Sequence, residues 1–459
     1  MLDDMMDYVE HIRERPVWRP IPPEVRGRFR AELPRSPSDP AEVYDEFTRY
    51  VVPYAAGNVH PGFMGWVNGG GTPVGMLAEM LAAGINANLG GRDHIPVEVE
   101  RQIVEWARQM FDFPEGASGL FVTGTSLANL IAILVARTAA LGVEVRKRGV
   151  ARDGAKLRAY TSAAVHRCIP LAVDLSGLGS SALRLIPTDS HCRMDLAALR
   201  EAIEEDRTNG LEPFLVIGTA GTVDTGAVDD LEALAALCRR EKLRFHVDGA
   251  FGALAVLSPE LKPLVKGIEQ ADSIAFDFHK WGQVPYDAGF LLVRDGELHR
   301  ETFVTQAAYL RAGAKGLAAG SPWFSDYGPD LSRGFRALKT WFTLKTFGAD
   351  RMGEVIARTC SLAKNLEARV RAEPRLELLA PAQLNIVCFR YGTGDEVNAR
   401  IVVDLHESGI AAPSTTVIGG KLAIRACFVN HRTQIADVDA LVKAVLRFGA
   451  QAEKAATSR

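Results

Sequence analysis

The chain has 459 residues and a formal net charge of −3, with 47% hydrophobic and 24% charged residues. These values are typical of a globular protein with a large core, and the length predicts a large domain with at least one smaller one. The small net charge gives no indication of a nucleic-acid partner or of a charge-held membrane association. No apolar run reaches the length of a membrane span.

Cysteine usage points to a reducing compartment. The six cysteines are scattered, with no C-x-x-C pair and no histidine at zinc-finger spacing. This pattern argues against a disulfide framework and against a structural metal, so we expect no metal site. The amino terminus is acidic and amphipathic, unlike a cationic secretion signal. We therefore expect a cytoplasmic protein that does not associate with a membrane.

The first 75 residues are predicted to form a helix followed by a proline-rich stretch. The helix extends through Arg13, and seven prolines follow between Pro16 and Pro40. A segment so interrupted by proline cannot build a core of its own. We expect it to wrap over another surface, namely that of a second subunit.

Residues 76–331 are predicted to form a large α/β domain. Helices are predicted over residues 76–88, 97–111, 126–141, 195–204 and 230–240. Strands are predicted over residues 157–161, 182–186, 214–219, 245–247, 273–276 and 289–293. Strands that alternate with helices predict a mostly parallel sheet covered on both faces.

Residues 332–459 are predicted to form a smaller α+β domain. A long helical stretch continues to residue 370, and further helices are predicted over 397–408 and 437–448. Strands are predicted over 386–389 and 422–428.

Two strand ends of the large domain carry the most informative residues. Asp248 ends F-H-V-D, and His279 and Lys280 follow the strand that leads into D-F-H-K-W. Functional groups collect at the carboxyl ends of strands in α/β sheets, so these three residues are expected in one cleft. A lysine beside the apolar Trp281 can be partly desolvated, as a lysine nucleophile requires near neutral pH. Taken singly, a helix cap and a solvated lysine are the ordinary alternatives.

With these motifs the chain resembles the group II pyridoxal-phosphate decarboxylases, which include the aromatic amino acid, glutamate and histidine decarboxylases. The resemblance extends to about residue 448, and the H-V-D and H-K-W pair is its strongest marker. It implies a fold type I, transferase-like α/β fold with a mostly parallel seven-stranded sheet and a small α+β carboxyl-terminal domain. It also implies that Lys280 holds pyridoxal 5′-phosphate (PLP) covalently. Asp248 would keep the pyridine nitrogen protonated, which makes the ring an electron acceptor.

The stretch F-V-T-G-T-S-L-A-N at residues 121–129 is similar to the family's F-T-S-G-G-T-E-A-N. The match implies that Thr125 and Ser126 bind the cofactor phosphate, which suits a loop that opens a helix. An ordinary helix cap is the alternative. Leu127 replaces the usual glutamate.

Further cofactor residues follow from the remaining motifs. A-V-H at residues 164–166 implies that His166 stacks on the cofactor ring, although Arg167 and Cys168 replace the serines that follow in the family. T-A-G-T at residues 219–222 implies that Thr219 lies near the ring substituents. Ala250 and His279 complete the expected cofactor set.

Two further motifs bear on the substrate pocket. H-P-G-F-M-G-W-V at residues 60–67 resembles the family's H-P-x-F-F-A-Y-F, which implies that Phe63 and Trp66 line the pocket. Their flat apolar surface favours an aromatic L-amino acid, although an ordinary core role is the alternative for Trp66. Arg92 and His94, in G-R-D-H-I-P, are charged or polar, and a cation there could instead bind glutamate or aspartate.

Two features bear on the reaction outcome. S-R-G-F-R-A-L-K-T-W at residues 332–341 is similar to the family's S/G-R-R-F-R-x-L-K-x-W and favours this family over other PLP enzymes. Residues 302–322 are rich in glycine and alanine, which is typical of a catalytic lid. Tyr309 aligns there with a family tyrosine that donates a proton, which implies an amine product. A surface tyrosine is the alternative.

The sequence thus predicts a PLP-dependent carboxy-lyase of amino acid metabolism that releases carbon dioxide and the corresponding amine. Its partners are expected to be a small amino acid and a second copy of the chain, with the active site near the subunit interface. Three alternatives stay open: an oxidative decarboxylase-deaminase that gives an aldehyde, a lyase or aminotransferase on the same scaffold, and a non-catalytic cofactor-binding protein.

Overall fold

The computed structural model describes residues 1–151, 153–305, 313–392 and 394–457. The chain divides into two compact units, Val74–Arg358 and a smaller unit of Met1–Pro73 with Thr359–Arg459. The expected boundary at residue 75 lies beside the first division. The expected boundary at residue 332 lies 27 residues before the second, which begins at Thr359, because a long helix begins in the larger unit and continues beyond it. That the amino-terminal segment covers a second subunit stays a prediction.

The described elements comprise fourteen α-helices and twelve strands. The helices are α1 Leu2–Glu10, α2 Pro23–Arg28, α3 Pro40–Glu46, α4 Pro73–Ile85, α5 Ile95–Met110, α6 Thr125–Leu141, α7 Val145–Arg148, α8 Cys168–Val173, α9 Leu196–Thr208, α10 Leu231–Glu241, α11 Gly296–Phe303, α12 Arg336–Ala372, α13 Asp395–Glu407 and α14 Ile435–Thr457. The strands are β1 Phe63–Met64, β2 Ser118–Val122, β3 Leu157–Ser162, β4 Leu183–Ile186, β5 Glu212–Thr219, β6 Arg244–Asp248, β7 Ser273–Asp277, β8 Gly289–Val293, β9 Leu376–Leu378, β10 Ile386–Tyr391, β11 Ala412–Ile418 and β12 Lys421–Cys427.

The larger unit is built on a seven-stranded sheet with the strand order β2-β8-β7-β6-β5-β3-β4. Strand β8 is antiparallel to both of its neighbours, and the pairs among the other strands are parallel. The predicted mostly parallel sheet is therefore confirmed. Strands β2, β7 and β8 are buried along their whole length, as expected of strands covered on both faces.

Aromatic packing holds together the strands that lead into the chemically interesting loops. Phe121 on β2 and Phe276 on β7 contact Phe290 on β8, with ring centroids 5.0 and 5.3 Å apart, respectively. Phe278, just after β7, lies 5.0 Å from Phe276. Tilted and edge-to-face contacts at these distances stabilise a core beyond the burial of apolar area. The rigid cluster fixes where β2 and β7 end.

A buried ion pair secures the same region. The guanidinium of Arg333 pairs with Glu100 on α5, and both side chains are almost completely buried. Arg333 also donates hydrogen bonds to the carbonyl oxygens of Leu89 and Phe121, at 3.0 and 2.9 Å. A buried ion pair of this kind is tolerated when the remaining donors of the guanidinium also form hydrogen bonds, as those of Arg333 do. The S-R-G-F-R motif therefore carries an arginine that anchors the chain before α12.

The smaller unit contains a five-stranded sheet with the strand order β1-β11-β12-β10-β9. Strand β1 is parallel to β11, and the other pairs are antiparallel. Helices α13 and α14 contribute to its core with apolar residues such as Ile401, Leu405, Val438 and Leu441. The predicted α+β character of this unit agrees with that arrangement. No helix in the described ranges is long and apolar enough to cross a membrane.

Candidate active site

The candidate site forms where two strands end and one helix begins. β6 ends at Asp248 and the adjacent parallel strand β7 ends at Asp277, so both carboxylates lie at the same edge of the sheet. Helix α6 begins at Thr125, and Asn129 lies four residues later on the same helix face. The backbone N–H of Thr125 donates to Oδ1 of Asp277 at 2.8 Å, and the Asn129 amide donates to Oδ2 of Asp248 at 3.2 Å. The helix start is thereby attached to both strand ends.

Close backbone packing sets the height of the helix start above the sheet. A Cβ atom added to Gly289, the first residue of β8, would lie 2.3 Å from the Cα atom of Gly124. Only glycine permits so close an approach. The loop that precedes Thr125 can therefore rest directly on the sheet edge.

Lys280 lies three residues after the end of β7, with its ammonium 2.8 Å from Oδ2 of Asp277. Burial alone would lower the pKa of Lys280, but the charge and hydrogen bond of Asp277, with the charge of Asp248, outweigh it and raise that pKa. Lys280 is therefore held as a cation directed at a carboxylate. The side chain is 22% exposed, so a ligand can reach it.

Asp277 is a site residue that the sequence analysis did not single out. It is buried, accepts hydrogen bonds from Thr125 and Lys280, and lies 3.7 Å from Nε2 of His279. Burial would raise its pKa, but the charge and hydrogen bond of Lys280, with the hydrogen bond of Thr125, outweigh that effect and lower it. Its position as the last residue of a strand, three residues before the lysine, was the available signal.

Asp248 is a buried carboxylate whose neighbours are mostly neutral. Besides the Asn129 amide, it accepts a hydrogen bond from the backbone N–H of Ala250 at 3.2 Å, and the Cys168 sulfur lies 3.9 Å from Oδ2. Burial raises the pKa of Asp248, while the charges of Lys280 and His166 oppose that rise. Among the described residues, no cationic side chain forms an ion pair with it. A buried carboxylate in this setting fits a cationic ring nitrogen.

Two buried hydroxyl groups at the same edge fit a polar ligand. Within the described part of the chain, Oγ1 of Thr125 and Oγ1 of Thr219 have no hydrogen-bond partner. Thr219 ends β5 and pairs in register with Asp248 on β6. A buried unsatisfied hydroxyl costs about 1–3 kcal/mol, so both groups are suited to bind a phosphate or a polar ring substituent. The residues present thus fit the predicted cofactor.

Ser126 and His279 flank this group. Ser126 is exposed in the first turn of α6, where free N–H groups of the helix favour an anion. His279 is buried, accepts a hydrogen bond at Nδ1 from the N–H of Ala288 at 2.9 Å, and packs on Tyr286 with ring centroids 4.3 Å apart. Because Nδ1 accepts, Nε2 carries the proton and faces Asp277.

His166 follows β3, and its ring is accessible to a flat ligand. The residue is exposed, and its Nδ1 accepts a hydrogen bond from the N–H of Cys168 at 3.3 Å. Burial by the surrounding protein lowers the pKa of His166, and the negative charge of Asp248 opposes the change. That dependence on Asp248 agrees with the expected grouping of the two residues.

The predicted substrate residues fall in different units. In the smaller unit Phe63 is buried, while Trp66 is 58% exposed and has a positive φ of 48°. In the larger unit the Arg92 guanidinium lies 4.6 Å from the centroid of the Trp323 ring, and His94 is the N-cap residue of α5. No hydrogen bond, ion pair or ring contact among the described residues joins Arg92 or His94 to Asp248 or Lys280.

Two further predictions concern Tyr309 and metals. Tyr309 lies outside the described residues. Within those residues, no group of three or more His, Cys, Asp or Glu side chains could hold a metal ion.

The chain is similar to known proteins along most of its length. Residues 22–392 match the family model described as the pyridoxal-dependent decarboxylase conserved domain, and this range includes every motif on which the resemblance rests. The chain is 34% identical to the aromatic-L-amino-acid decarboxylase of Bacillus atrophaeus, over 100% of this chain and 95% of the relative. It is 31% identical to the 3,4-dihydroxyphenylacetaldehyde synthase of Aedes aegypti, over 95% of this chain and 86% of the relative.

A solved structure shows the same fold. The TDC of Oryza sativa, solved with PLP and tryptamine, superposes with a TM-score of 0.89 at 26% sequence identity. The superposition covers 98% of this chain and 96% of that chain. The predicted fold is thereby confirmed.

Proposed function

The chain belongs to the pyridoxal-dependent decarboxylase family and is a PLP-dependent lyase of amino acids, and we propose that its substrate is an aromatic L-amino acid. The proposed products are carbon dioxide and the corresponding amine. One observation carries the assignment of the site: an ammonium, two buried carboxylates and two buried hydroxyls that lack a partner among the described residues meet at one sheet edge.

The cofactor, when bound, supplies a conjugated ring that accepts the electron pair left by departing carbon dioxide. Lys280 would hold it covalently, and Asp277 is placed to hold a proton at Nζ of Lys280 through a charge-assisted hydrogen bond. Asp248 would keep a proton on the ring nitrogen.

The remaining residues bind and orient. Thr125 and Ser126, at the start of α6, would hold the phosphate, and His166 would cover one face of the ring. Thr219 would donate its hydroxyl, which has no partner in the described part of the chain, to a ring substituent. Held on strand ends and a helix start, these groups need little reorganisation when the cofactor binds.

The aromatic substrate is supported by one side chain and two relatives. Trp66 offers a largely exposed indole as flat apolar surface, and the buried Phe63 ring lies 6.1 Å from it. The relative from B. atrophaeus is named for aromatic amino acids, and the TDC structure contains tryptamine. The cation that would favour an acidic substrate, Arg92, already lies over Trp323.

The direct experiment is a screen of the proteinogenic L-amino acids for carbon dioxide release by the holoenzyme. We expect phenylalanine, tyrosine or tryptophan to give the highest kcat/KM, and Trp66→Ala to raise KM for that substrate. Phe347→Ala, which removes another exposed aromatic ring, is the control and should leave KM unchanged. Turnover of glutamate or aspartate without turnover of aromatic amino acids would support the acidic alternative.

A second candidate function is oxidative decarboxylation to an aldehyde. One relative, at 31% identity, is named 3,4-dihydroxyphenylacetaldehyde synthase. The two reactions differ in their products. Simple decarboxylation needs no oxygen and gives an amine, whereas the oxidative reaction consumes oxygen and gives an aldehyde, ammonia and peroxide. Measuring amine and peroxide with and without oxygen separates them.

We also infer a homodimer in the cytoplasm. Met80, Leu81 and Ile85 on α4 are 44–59% exposed, and an apolar helix face of this kind favours an interface. Light scattering should give twice the chain mass, and Leu81→Asp should weaken the dimer, unlike Leu264→Asp at another exposed leucine. An active monomer would contradict the proposal. The six cysteines, which all lie in the described part of the chain, form no disulfide there, as a reducing compartment favours.

A further inference from the structure

A chain of hydrogen bonds runs from the sheet interior to the Asp248 carboxylate. Oγ of Ser273, the first residue of β7, lies 2.8 Å from Nδ1 of His246 on β6. Nε2 of His246 lies 2.8 Å from Oδ1 of Asn129 on α6. Nδ2 of Asn129 lies 3.2 Å from Oδ2 of Asp248. All four side chains are buried.

All the donors of this hydrogen-bond chain point towards Asp248. An ionised Asp248 can only accept hydrogen bonds, so Asn129 must direct its amide nitrogen at Asp248 and its oxygen, which accepts, at His246. Nε2 of His246 must then carry the ring proton. Burial lowers the pKa of His246 to about 4, so its ring is neutral and Nδ1 is a bare acceptor. The hydroxyl of Ser273 satisfies Nδ1 as a donor.

The hydroxyl of Ser273 therefore selects the tautomer. Without it, Nδ1–H of His246 could donate to the Ser273 carbonyl oxygen at 3.2 Å instead. Nε2 would then be a bare acceptor facing Oδ1 of Asn129. The amide would have to turn, which would place its oxygen against Asp248.

We propose that Ser273, His246 and Asn129 are positioning residues that keep Asp248 ionised and aimed at the cofactor ring nitrogen. The proposal rests on the role assigned to Asp248 in the proposed function. None of the three needs to touch the reacting atoms. Each acts through the next, and consecutive aligned hydrogen bonds polarise one another.

Such support is needed because the groups around Asp248 shift its pKa in opposite directions. Burial raises its pKa, and so does the negative charge of Asp277. The charges of Lys280 on the loop after β7 and His166 on the loop after β3 act in the opposite direction. Cys168 on α8 completes the neighbourhood with a thiol whose pKa burial raises to about 12, so it stays neutral.

The test follows the ring nitrogen of holoenzyme reconstituted with cofactor that carries ¹⁵N at that atom. Its NMR shift reports protonation directly and does not depend on turnover. The variants are Ser273→Ala, Asn129→Asp and Ser273→Thr, which keeps the hydroxyl. Thr161→Val is the matched control, because it removes a buried hydroxyl whose hydrogen bond goes to the Ile217 carbonyl at 3.0 Å instead.

We expect Ser273→Ala and Asn129→Asp to lower the pH at which the ring nitrogen loses its proton by about one unit or more. Cofactor affinity should fall roughly ten- to hundred-fold. Ser273→Thr should restore both values, and Thr161→Val should change neither. In ¹⁵N-histidine spectra, the His246 signal should report an Nε2–H ring in wild type and an Nδ1–H ring in Ser273→Ala.

Two results would overturn the proposal. Suppose that Ser273→Ala and Asn129→Asp give the same ring-nitrogen titration as Thr161→Val, while Asp248→Asn loses ring protonation. The positioning role of Ser273, His246 and Asn129 is then wrong, and the role of Asp248 stands. If Asp248→Asn itself leaves the ring nitrogen protonated, the positioning role of the three residues and the assigned role of Asp248 are both wrong.

Discussion

The ammonium of Lys280 lies 2.8 Å from Oδ2 of Asp277, the residue that ends the preceding strand. The other oxygen of Asp277 accepts the backbone N–H of Thr125, which begins the helix expected to hold the phosphate. One buried carboxylate therefore orients both the lysine and the helix start. Its replacement should affect the lysine and the phosphate site differently.

Asp277→Asn should lower the pKa of Lys280. The amide oxygen can still accept the Thr125 N–H, but the negative charge that raises the Lys280 pKa is gone and burial then dominates. The pH midpoint for covalent attachment of PLP to the apoprotein, followed by absorbance, should fall by at least about one unit. Asp272→Asn, which removes a carboxylate paired with Arg244, is the control. An unchanged midpoint would show that Asp277 does not set the charge of Lys280.

Thr125→Val and Thr219→Val should weaken cofactor binding without lowering the stability of the apoprotein. Neither hydroxyl has a partner among the described residues, so the apoprotein loses no hydrogen bond. Cofactor affinity should fall roughly ten- to hundred-fold for the hydroxyl that meets the phosphate charge. Thr161→Val should lower the stability of the apoprotein without weakening cofactor binding, since the Thr161 hydroxyl donates a hydrogen bond to Ile217. Equilibrium titration and thermal unfolding distinguish these patterns, and parallel losses for all three variants would refute the assignment.

Much of this fold was predictable because its helices and strands have clear periodicity. The strand predicted over residues 289–293 coincides with β8, and that predicted over 273–276 differs from β7 by one residue. β2 was not predicted, because Gly119 weakens the strand pattern. The structure explains that glycine, since a Cβ there would lie 2.8 Å from the Phe290 ring. β11 was missed because Pro413 lies within it, at a position paired with the short strand β1.

The site was predictable where a motif ends a strand, and less so where the contact is tertiary. Asp248 and Lys280 were identified from adjacent motifs, whereas the role of Asp277 depends on the distance between two side chains. The hydrogen bonds of Asn129 join α6 to β6 across more than a hundred residues of sequence, and that of Ser273 joins β7 to β6 across 27 residues. No local pattern specifies such contacts.

Tyr309→Phe should shift the products from amine toward aldehyde, ammonia and peroxide while cofactor binding persists. The expectation rests on the family resemblance, since Tyr309 lies outside the described residues. A phenol can return a proton to the carbon that has lost carbon dioxide, and general acid help is worth about a hundred- to ten-thousand-fold. Amine and peroxide should be quantified for both proteins with and without oxygen. Stoichiometric peroxide from the wild type would show that Tyr309 does not decide the outcome.

Buried histidines should make the apoprotein less stable in mild acid. Burial lowers the pKa of His299 to about 3, below the ordinary value of about 6.5, so the unfolded chain binds a proton that the folded chain excludes. The stability that His299 contributes is therefore present above pH 6.5 and is lost as the pH falls toward 3. His299→Gln should reduce the slope of unfolding free energy against pH by about 1.4 kcal/mol per unit between pH 4 and 6. Equal slopes in denaturant titrations of wild type and His299→Gln would contradict the prediction.

The covalent site of the cofactor tests the central claim most directly. Borohydride reduction of the holoenzyme, followed by peptide mass spectrometry, should place the reduced cofactor on Lys280 alone. Lys280→Ala should carry none and show no decarboxylation, whereas Lys266→Ala, at an exposed lysine paired with Glu232, should behave as wild type. Reduced cofactor on another lysine of the wild type, or retained in Lys280→Ala, would contradict the account.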